Sequence, residues 1–591
     1  MAIDPSSLRF KDRLSDFTAD PRLLLLAVMA LAVGLAGAGA AWVLLRLIAI
    51  ITNLAYYQHF SIVLAPFPQS LPLWTILIPV VGSLIIGLMA RYGSKKIRGH
   101  GIPEAIEAIL IGQSRIAPKV ALLKPLSSAI SIGSGGPFGA EGPIIMTGGA
   151  LGSLFAQLFH LSSAERKTLL VAGAAAGMTA VFGTPIAAIL LAVELLLFEW
   201  KPRSFIPVAV AAAIAAAARP FLIGAGPLFP YAGLGLLPWW GLGLCLAVGI
   251  VAGLQSALLT LCLYGVEDLF HKLPIHWMWW PALGGIVVGI GGYYDPAVLG
   301  VGYDQIRLLI AGDLSGHAAI LLLLLKMAVW LVALSSGTSG GILAPLLIMG
   351  GALGLLEGQY IPYADTGFWA LLGMAAILGG TMRAPLTAAF FAIELTGNSH
   401  LLLPVLVASV GAFGTTVLLM KRSILTERIA RRGLHLTREY GIDPFLDTRV
   451  ASIMAPSVDT LDGEMPVGEA VAFFADPALT LHKSYPVTDE GSVIAMISRA
   501  DALRWSREDW PEGTLLKDAV AGKPLLVGYG DELVAQLADR MTAADVGRVP
   551  ILERGSEKLI GLVARRDLLR VRMNQTRQEE HRSRSLGFSR R

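Results

Sequence analysis

The chain has 591 residues, of which 54% are hydrophobic and 15% charged, with a mean hydropathy of +0.64 and a net charge of +4. Soluble domains carry about 25% charged residues, so the composition excludes an ordinary soluble enzyme, and so small a net charge gives no case for nucleic-acid binding. Half of the 90 charged residues lie in the final 156 positions, 436–591, which divides the chain into a membrane part and a soluble C-terminal part.

Residues 1–22 are polar, with Arg9, Lys11, Arg13 and Arg22 ahead of the first apolar run. They show no cleavable-signal pattern and are expected to form a cytoplasmic N-terminal segment. Apolar runs at 23–51, 72–90, 203–224, 237–265 and 316–335 are long enough to cross a hydrocarbon core of about 30 Å. Shorter runs at 102–112, 120–132, 142–158, 168–181, 185–198, 341–356, 370–379 and 385–396 are broken by Gly and Pro. Broken helices are tolerated at membrane depth only where they are buried or line a cavity, and they mark transporter binding sites. The 65 glycines suit close packing of many short helices. Basic clusters at 9–22, 91–98 and 421–432 are expected to face the cytoplasm. Both ends of a membrane domain at 23–435 then lie inside, after an even number of crossings of the plasma (inner) membrane. Cys245 and Cys262 sit in apolar runs and carry no disulfide argument.

Within the first half, Gly133-Ser-Gly-Gly-Pro-Phe-Gly-Ala-Glu-Gly-Pro143 embeds one carboxylate, Glu141, among apolar runs. An ionisable side chain at membrane depth costs roughly 2.5–3.5 kcal/mol and is a functional-site candidate. The glycines leave backbone N–H groups uncovered, and a helix can begin at Pro143 with its positive end facing the loop. Such a loop holds an anion, and a carboxylate inside it competes with that anion. A faint repeat supports a second half: Thr184-Pro-Ile-Ala-Ala-Ile-Leu-Leu-Ala-Val-Glu-Leu195 echoes Ala384-Pro-Leu-Thr-Ala-Ala-Phe-Phe-Ala-Ile-Glu-Leu395. Glycine-rich helix starts at 133–143 and 337–345 precede the two copies. Two inverted halves would meet at a shared midplane site; the rival reading is chance similarity among apolar helices.

Residues 436–446 read as a linker. Val450-Ala-Ser-Ile-Met454, Tyr485-Pro-Val-Thr488 and Val493-Ile-Ala-Met-Ile-Ser-Arg-Ala-Asp501 give a helix start, two strands and a second helix start. The order recurs at 516–520, 548–552 and 559–567, with helices expected at 466–475 and 532–543. These are βαββα-like modules at 447–506 and 507–573, followed at 574–591 by a basic tail expected to be disordered and near anionic membrane lipid.

Gly99-His-Gly-Ile-Pro-Glu104, Gly139-Ala-Glu-Gly-Pro143 and Gly341-Ile-Leu-Ala-Pro345 resemble, in order and separation, three anion-path motifs of the CLC chloride channels and proton/chloride antiporters. Lys124 and Phe182-Gly-Thr-Pro185 fall where that family has comparable residues, and the C-terminal modules resemble a CBS pair. The resemblance implies an all-α polytopic membrane fold of two inverted halves with broken helices, followed by an α/β CBS pair. It also implies a homodimer with a pore in each subunit. Carried over, Gly99, His100, Gly101, Ile102 and Pro103 form one loop on the anion. Gly139, Ala140, Gly142 and Pro143 form the second, and Gly341, Ile342, Leu343, Ala344 and Pro345 the third. The N–H groups of Ile342 and Leu343 would donate to the anion without any full cation, so that it can also leave. Glu141 would be the gate: deprotonated it occupies an anion site, and protonated it swings away or carries a proton.

Three positions depart from the family pattern. His100 stands where a serine is common and Leu425 where many members place a tyrosine, so the usual hydroxyl donors are absent. Acid is expected to strengthen anion occupancy through His100, against the alternative of a neutral histidine bonded to a helix-end carbonyl. Leu195 replaces an inner glutamate of many proton-coupled members, which favours a passive channel over a proton-coupled antiporter for chloride or nitrate. Glu194, echoed by Glu394, reads as structural. A CBS-regulated divalent-cation channel is a lower alternative, disfavoured by the scarcity of grouped carboxylates. An intramembrane enzyme would need a catalytic constellation, and no HExxH metal motif is present. No cofactor or metal is expected for transport. The CBS pair is a candidate for an adenine nucleotide at Ser498, Asp501 and Asp567, against a purely bracing role.

Overall fold

The computed structural model describes residues 22–110, 112, 114–233, 238–361, 363–433, 445, 448–508, 510–571 and 573. The expected N-terminal segment up to residue 21, nearly all of the linker and the basic tail at 574–591 lie outside them. Two units separate at Glu439 and Tyr440.

The first unit is helical. Among the described residues six helices are long and apolar enough to cross a membrane: Arg22–Tyr57, Leu73–Gly93, Pro202–Leu222, Gly241–His271, Gly316–Ser335 and Ser399–Arg431. Five answer to the long runs of the sequence; the sixth was not anticipated. Between them lie the short helices, each with a local reason for its ends. Ser163–Phe182 starts in a capping box, with Ser162 Oγ accepting from Glu165 N at 3.2 Å and Glu165 Oε2 accepting from Ser162 N at 2.7 Å. It stops at Gly183, whose φ of +72° is the left-handed conformation of a helix end. Pro185 then opens the next helix from its first position.

Among the described residues the unit holds the same succession of helices twice. Arg22–Thr52 and Gly241–His271 both have 31 residues, and Ile102–Leu110 and Tyr303–Ala311 both have 9. The packing repeats as well: Glu141–Gln157 lies on Ser163–Phe182 as Leu343–Gly358 lies on Thr366–Met382. Both contacts are made at glycines. A methyl group on Gly148 would strike the carbonyl of Gly173, and one on Gly350 the carbonyl of Gly373, the close approach that small residues permit between membrane helices.

Among its described residues the second unit holds two sheets of the same design. Leu461–Asp462 pairs in parallel with Ser484–Asp489, which pairs antiparallel with Ser492–Ser498. Gly528–Tyr529, Arg548–Leu552 and Leu559–Ala564 repeat that order. Val467–Ala475 and Val534–Ala543 supply the covering helices. Each sheet buries its own apolar cluster, around Val487 and Ile497 in one and Val549 and Val563 in the other.

Candidate functional site

The glycine loops of the two halves are joined directly. Gly139 N donates to Gly341 O at 3.1 Å and Gly341 N returns a bond to Gly139 O at 2.8 Å. Gly99 N donates to Thr338 O at 2.8 Å, which brings the third loop to the same place. Gly99 and Gly101 have φ of +88° and +91°, conformations that a side chain would strain. A methyl on Gly101 would also come within 2.5 Å of the Gly142 carbonyl. The glycines are therefore what lets three backbones converge.

Three helices begin here: Ile102–Leu110, Glu141–Gln157 and Leu343–Gly358. The second starts two residues before the expected Pro143, because a proline in the first turn lacks only an N–H that has no partner within the helix. Ala140 and Ile342, at the cap positions, supply no side-chain acceptor. The first N–H groups of both helices are thus donors at positive dipole ends.

Glu141 is fully buried. Its carboxylate folds back over the loops: a methyl group on Gly139 would strike it, and one on Gly341 would come within 2.6 Å of Oε2. The N–H of Ala344 acts on it, yet neither oxygen completes a hydrogen bond of normal geometry among the described residues. A buried carboxylate held only loosely by backbone N–H groups is costly and is kept where something else occupies or uses it.

His100 is 1% exposed and neither ring nitrogen has a hydrogen-bond partner among the described residues. The alternative of a histidine bonded to a helix-end carbonyl is therefore not what the structure shows. The charged groups acting on it are Glu104, Arg428, Lys124 and Arg432. Leu425 is buried in the first turn of Ile424–Arg431. Lys124 spends its three N–H groups on Ile97 O at 2.9 Å, Gly99 O at 2.7 Å and Ser339 Oγ at 3.1 Å, so it braces the Gly99 loop. Gly337-Thr-Ser-Gly-Gly341 spells the GxSxG pattern of a nucleophile elbow, but Ser339 Oγ is held by Lys124, Ser127 and Ser128.

Sequence reasoning missed Arg428. Its guanidinium lies against Gly99, where a methyl would come within 2.6 Å. Its Nε faces Glu104 Oε1 at 3.5 Å, while Glu104 Oε2 accepts from Gly101 N at 2.9 Å. The basic cluster at 421–432 was read for topology alone, and Glu104 within the motif was the signal that it had a partner. Glu194 and Glu394 do prove structural. Glu394 accepts from Ile186 N at 2.9 Å and Ala187 N at 2.8 Å, and Glu194 from Thr387 N at 2.8 Å and Thr387 Oγ1 at 2.6 Å. Leu195 is buried beside Glu194 in the wide-turned segment Ala192–Leu197.

In the second unit a cleft of about 770 Å³ is lined by Ser498, Asp501, Asp545, Arg548, Arg565 and Arg566, among others. Asp501 Oδ2 accepts from Ser498 N at 2.8 Å and Oγ at 2.7 Å, and Oδ1 from Lys523 Nζ at 2.7 Å. Burial raises the Asp501 carboxyl, but the bonds from Lys523 and Ser498 outweigh it and leave the group below the ordinary carboxylate range. Asp567 does not line the cleft; its Oδ2 caps a helix through Ala564 N at 2.9 Å.

Paired helical halves, glycine loops at three helix starts and a buried carboxylate among them define a membrane protein with a pathway for anions. Residues 82–416 match the family described as voltage gated chloride channel, and residues 450–508 and 518–574 match the CBS domain. The chain belongs to the voltage-gated chloride channel (CLC) family and carries two CBS domains. It is 29% identical over 374 residues to a putative chloride channel protein ClcB-like of Ralstonia nicotianae, covering 61% of this chain and 87% of the relative. It is 31% identical over 355 residues to the H(+)/Cl(-) exchange transporter ClcA of Salmonella paratyphi A, covering 57% of this chain and 73% of the relative. The structure of a slow cyanobacterial Cl-/H+ antiporter superposes with a TM-score of 0.62 at 25% identity, over 70% of this chain and 99% of that one. The protein is accordingly a CLC-family membrane protein of anion transport.

Proposed function

We propose that the chain exchanges chloride or a similar small anion for protons through a pathway in each subunit of a homodimer, with Glu141 as gate and proton carrier. One observation carries the reading: the buried Glu141 carboxylate, with no hydrogen bond of normal geometry among the described residues, packed on Gly139 and Gly341. An acceptor-only carboxylate in that position excludes an anion, and protonation frees it to leave. The anion is then held by the N–H groups of the Gly99–Pro103, Gly139–Pro143 and Gly341–Pro345 loops, with His100 as an added donor. The relatives named as exchangers favour proton coupling. Buried, apolar Leu195 favours the second reading, a passive channel, which the sequence alone ranked first. The N- and C-termini are placed in the cytoplasm, and the cleft at Ser498 and Asp501 is assigned to an adenine nucleotide.

Paired chloride and proton fluxes from proteoliposomes test both readings. Uphill proton movement driven by chloride at fixed stoichiometry is expected, and its absence alongside chloride flux makes the protein a channel. Glu141→Ala is expected to retain chloride flux and abolish coupled proton movement; loss of both would remove Glu141 from the gate.

A further inference from the structure

A second buried polar group stands near Glu141 without a partner. The hydroxyl of Tyr303 is buried and has no hydrogen bond among the described residues, and the Glu141 carboxylate acts on it electrostatically. Tyr303 comes from the other half of the repeat. Gly300-Val301-Gly302-Tyr303 matches Gly99-His100-Gly101-Ile102, with φ of +57° and +75° at its two glycines. Lys326 braces this loop through Val298 O at 2.8 Å and Gly300 O at 3.3 Å, as Lys124 braces the first. The loop opens on a cavity of about 470 Å³ lined by Tyr303 and its neighbours. Where the first half has the apolar Ile102, the second therefore has a hydroxyl.

The ring alone would serve packing. Phe182 and Phe229 meet it edge-on at centroid distances of 6.5 and 5.7 Å, and a phenylalanine would fit the same contacts. The hydroxyl adds only the desolvation of an unsatisfied donor, about 1–3 kcal/mol. The charged groups around the cavity are already engaged: Arg307 with Asp304 at 2.8 Å, Lys326 with the two carbonyls, and Asp295 with Ala297 N at 3.0 Å. The Tyr303 hydroxyl is left without a partner among the described residues, and the carboxylate acting on it is that of Glu141.

We propose that the Tyr303 hydroxyl receives the Glu141 carboxyl group when it leaves the glycine loops, and so holds the pathway open. The O–H donates to a carboxyl oxygen, which gives the Tyr303 hydroxyl a partner it lacks in the packed state and gives the displaced carboxyl group a replacement for the backbone N–H groups it leaves. This rests on Glu141 being the gate.

The test is chloride efflux from proteoliposomes containing full-length wild type, Tyr303→Phe, Glu141→Ala and the double variant. A single hydrogen bond to the carboxyl group shifts the displaced population about tenfold. Tyr303→Phe is therefore expected to slow efflux by up to about tenfold in the wild-type background and to leave the Glu141→Ala background unchanged. Wild-type efflux from Tyr303→Phe overturns the proposal, and so does equal slowing in both backgrounds, which would mark ring packing. Glu141→Ala indistinguishable from wild type would instead bring down the gate itself, and the role of Tyr303 with it.

Discussion

At the scale of single residues, the site is built from groups whose ordinary partners are missing. His100 puts an imidazole where the CLC resemblance implies a hydroxyl, and a ring N–H has one direction where a hydroxyl can rotate. His100→Ser is therefore expected to change the chloride-to-nitrate flux ratio several-fold, since a change of about 1 kcal/mol in one donor is a factor of about five. If acid strengthens anion binding through the ring, the same variant flattens the pH–flux curve, and superimposable curves would end that role. Leu195 supports an equally direct test. Leu195→Glu places a carboxyl group beside Glu194, and in the exchanger it is expected to raise proton flux relative to chloride without altering chloride selectivity. An unchanged flux ratio would mean that protons reach Glu141 by a route that does not pass Leu195.

At the scale of helices, stability lies in how ends are finished. Glu394 and Glu194 each cap the start of a helix in the opposite half. Replacing either by alanine is expected to cost about 1–3 kcal/mol, read as a lower unfolding temperature of the detergent-solubilised protein, and the losses should be nearly additive because the caps share no atoms. Asp501 caps in the second unit with the same chemistry. Its folded-state pKa is lowered, so its stabilisation is present above the unfolded value of about 3.9 and is lost as pH falls through the folded one. Asp501→Asn should thus lower the unfolding temperature at pH 7 and still do so near pH 4, with the deficit shrinking only as pH falls below about 3.9. Much of this level was legible in sequence. Gly and Pro spacing located the three loops, since those residues dictate backbone whatever surrounds them, and the echo of Glu194 in Glu394 announced the caps. Trp280–Tyr294 was not seen: five glycines in 15 residues argue against a helix. The structure spends them on contact, with a methyl on Gly285 coming within 2.7 Å of Pro79 O. Arg428 and Tyr303 were invisible for another reason, because the carboxylates that act on them, Glu104 and Glu141, are far away in the sequence and only folding brings them near.

At the scale of the whole molecule, the cationic lining of the cleft makes a regulatory role measurable. Arg548, Arg565 and Arg566 suit phosphate groups, and Ser498 and Asp501 a ribose. ATP added to the full-length protein is expected to raise its unfolding temperature, and Arg548→Ala with Arg565→Ala to weaken that effect at least tenfold; no shift at millimolar ATP would leave the pair with a bracing role. The reciprocal caps have a different consequence, one of time. The helix at Pro185 emerges from the ribosome some 208 residues before the carboxylate that caps it. At about 5–20 residues per second this is an interval of roughly 10–40 s. Throughout it the N-terminal half sits with bare N–H groups that nothing in its own sequence satisfies. Each half is therefore an unfinished client until the other arrives, so the biosynthetic machinery must shelter the first half, and co-expressed separate halves should be recovered only together.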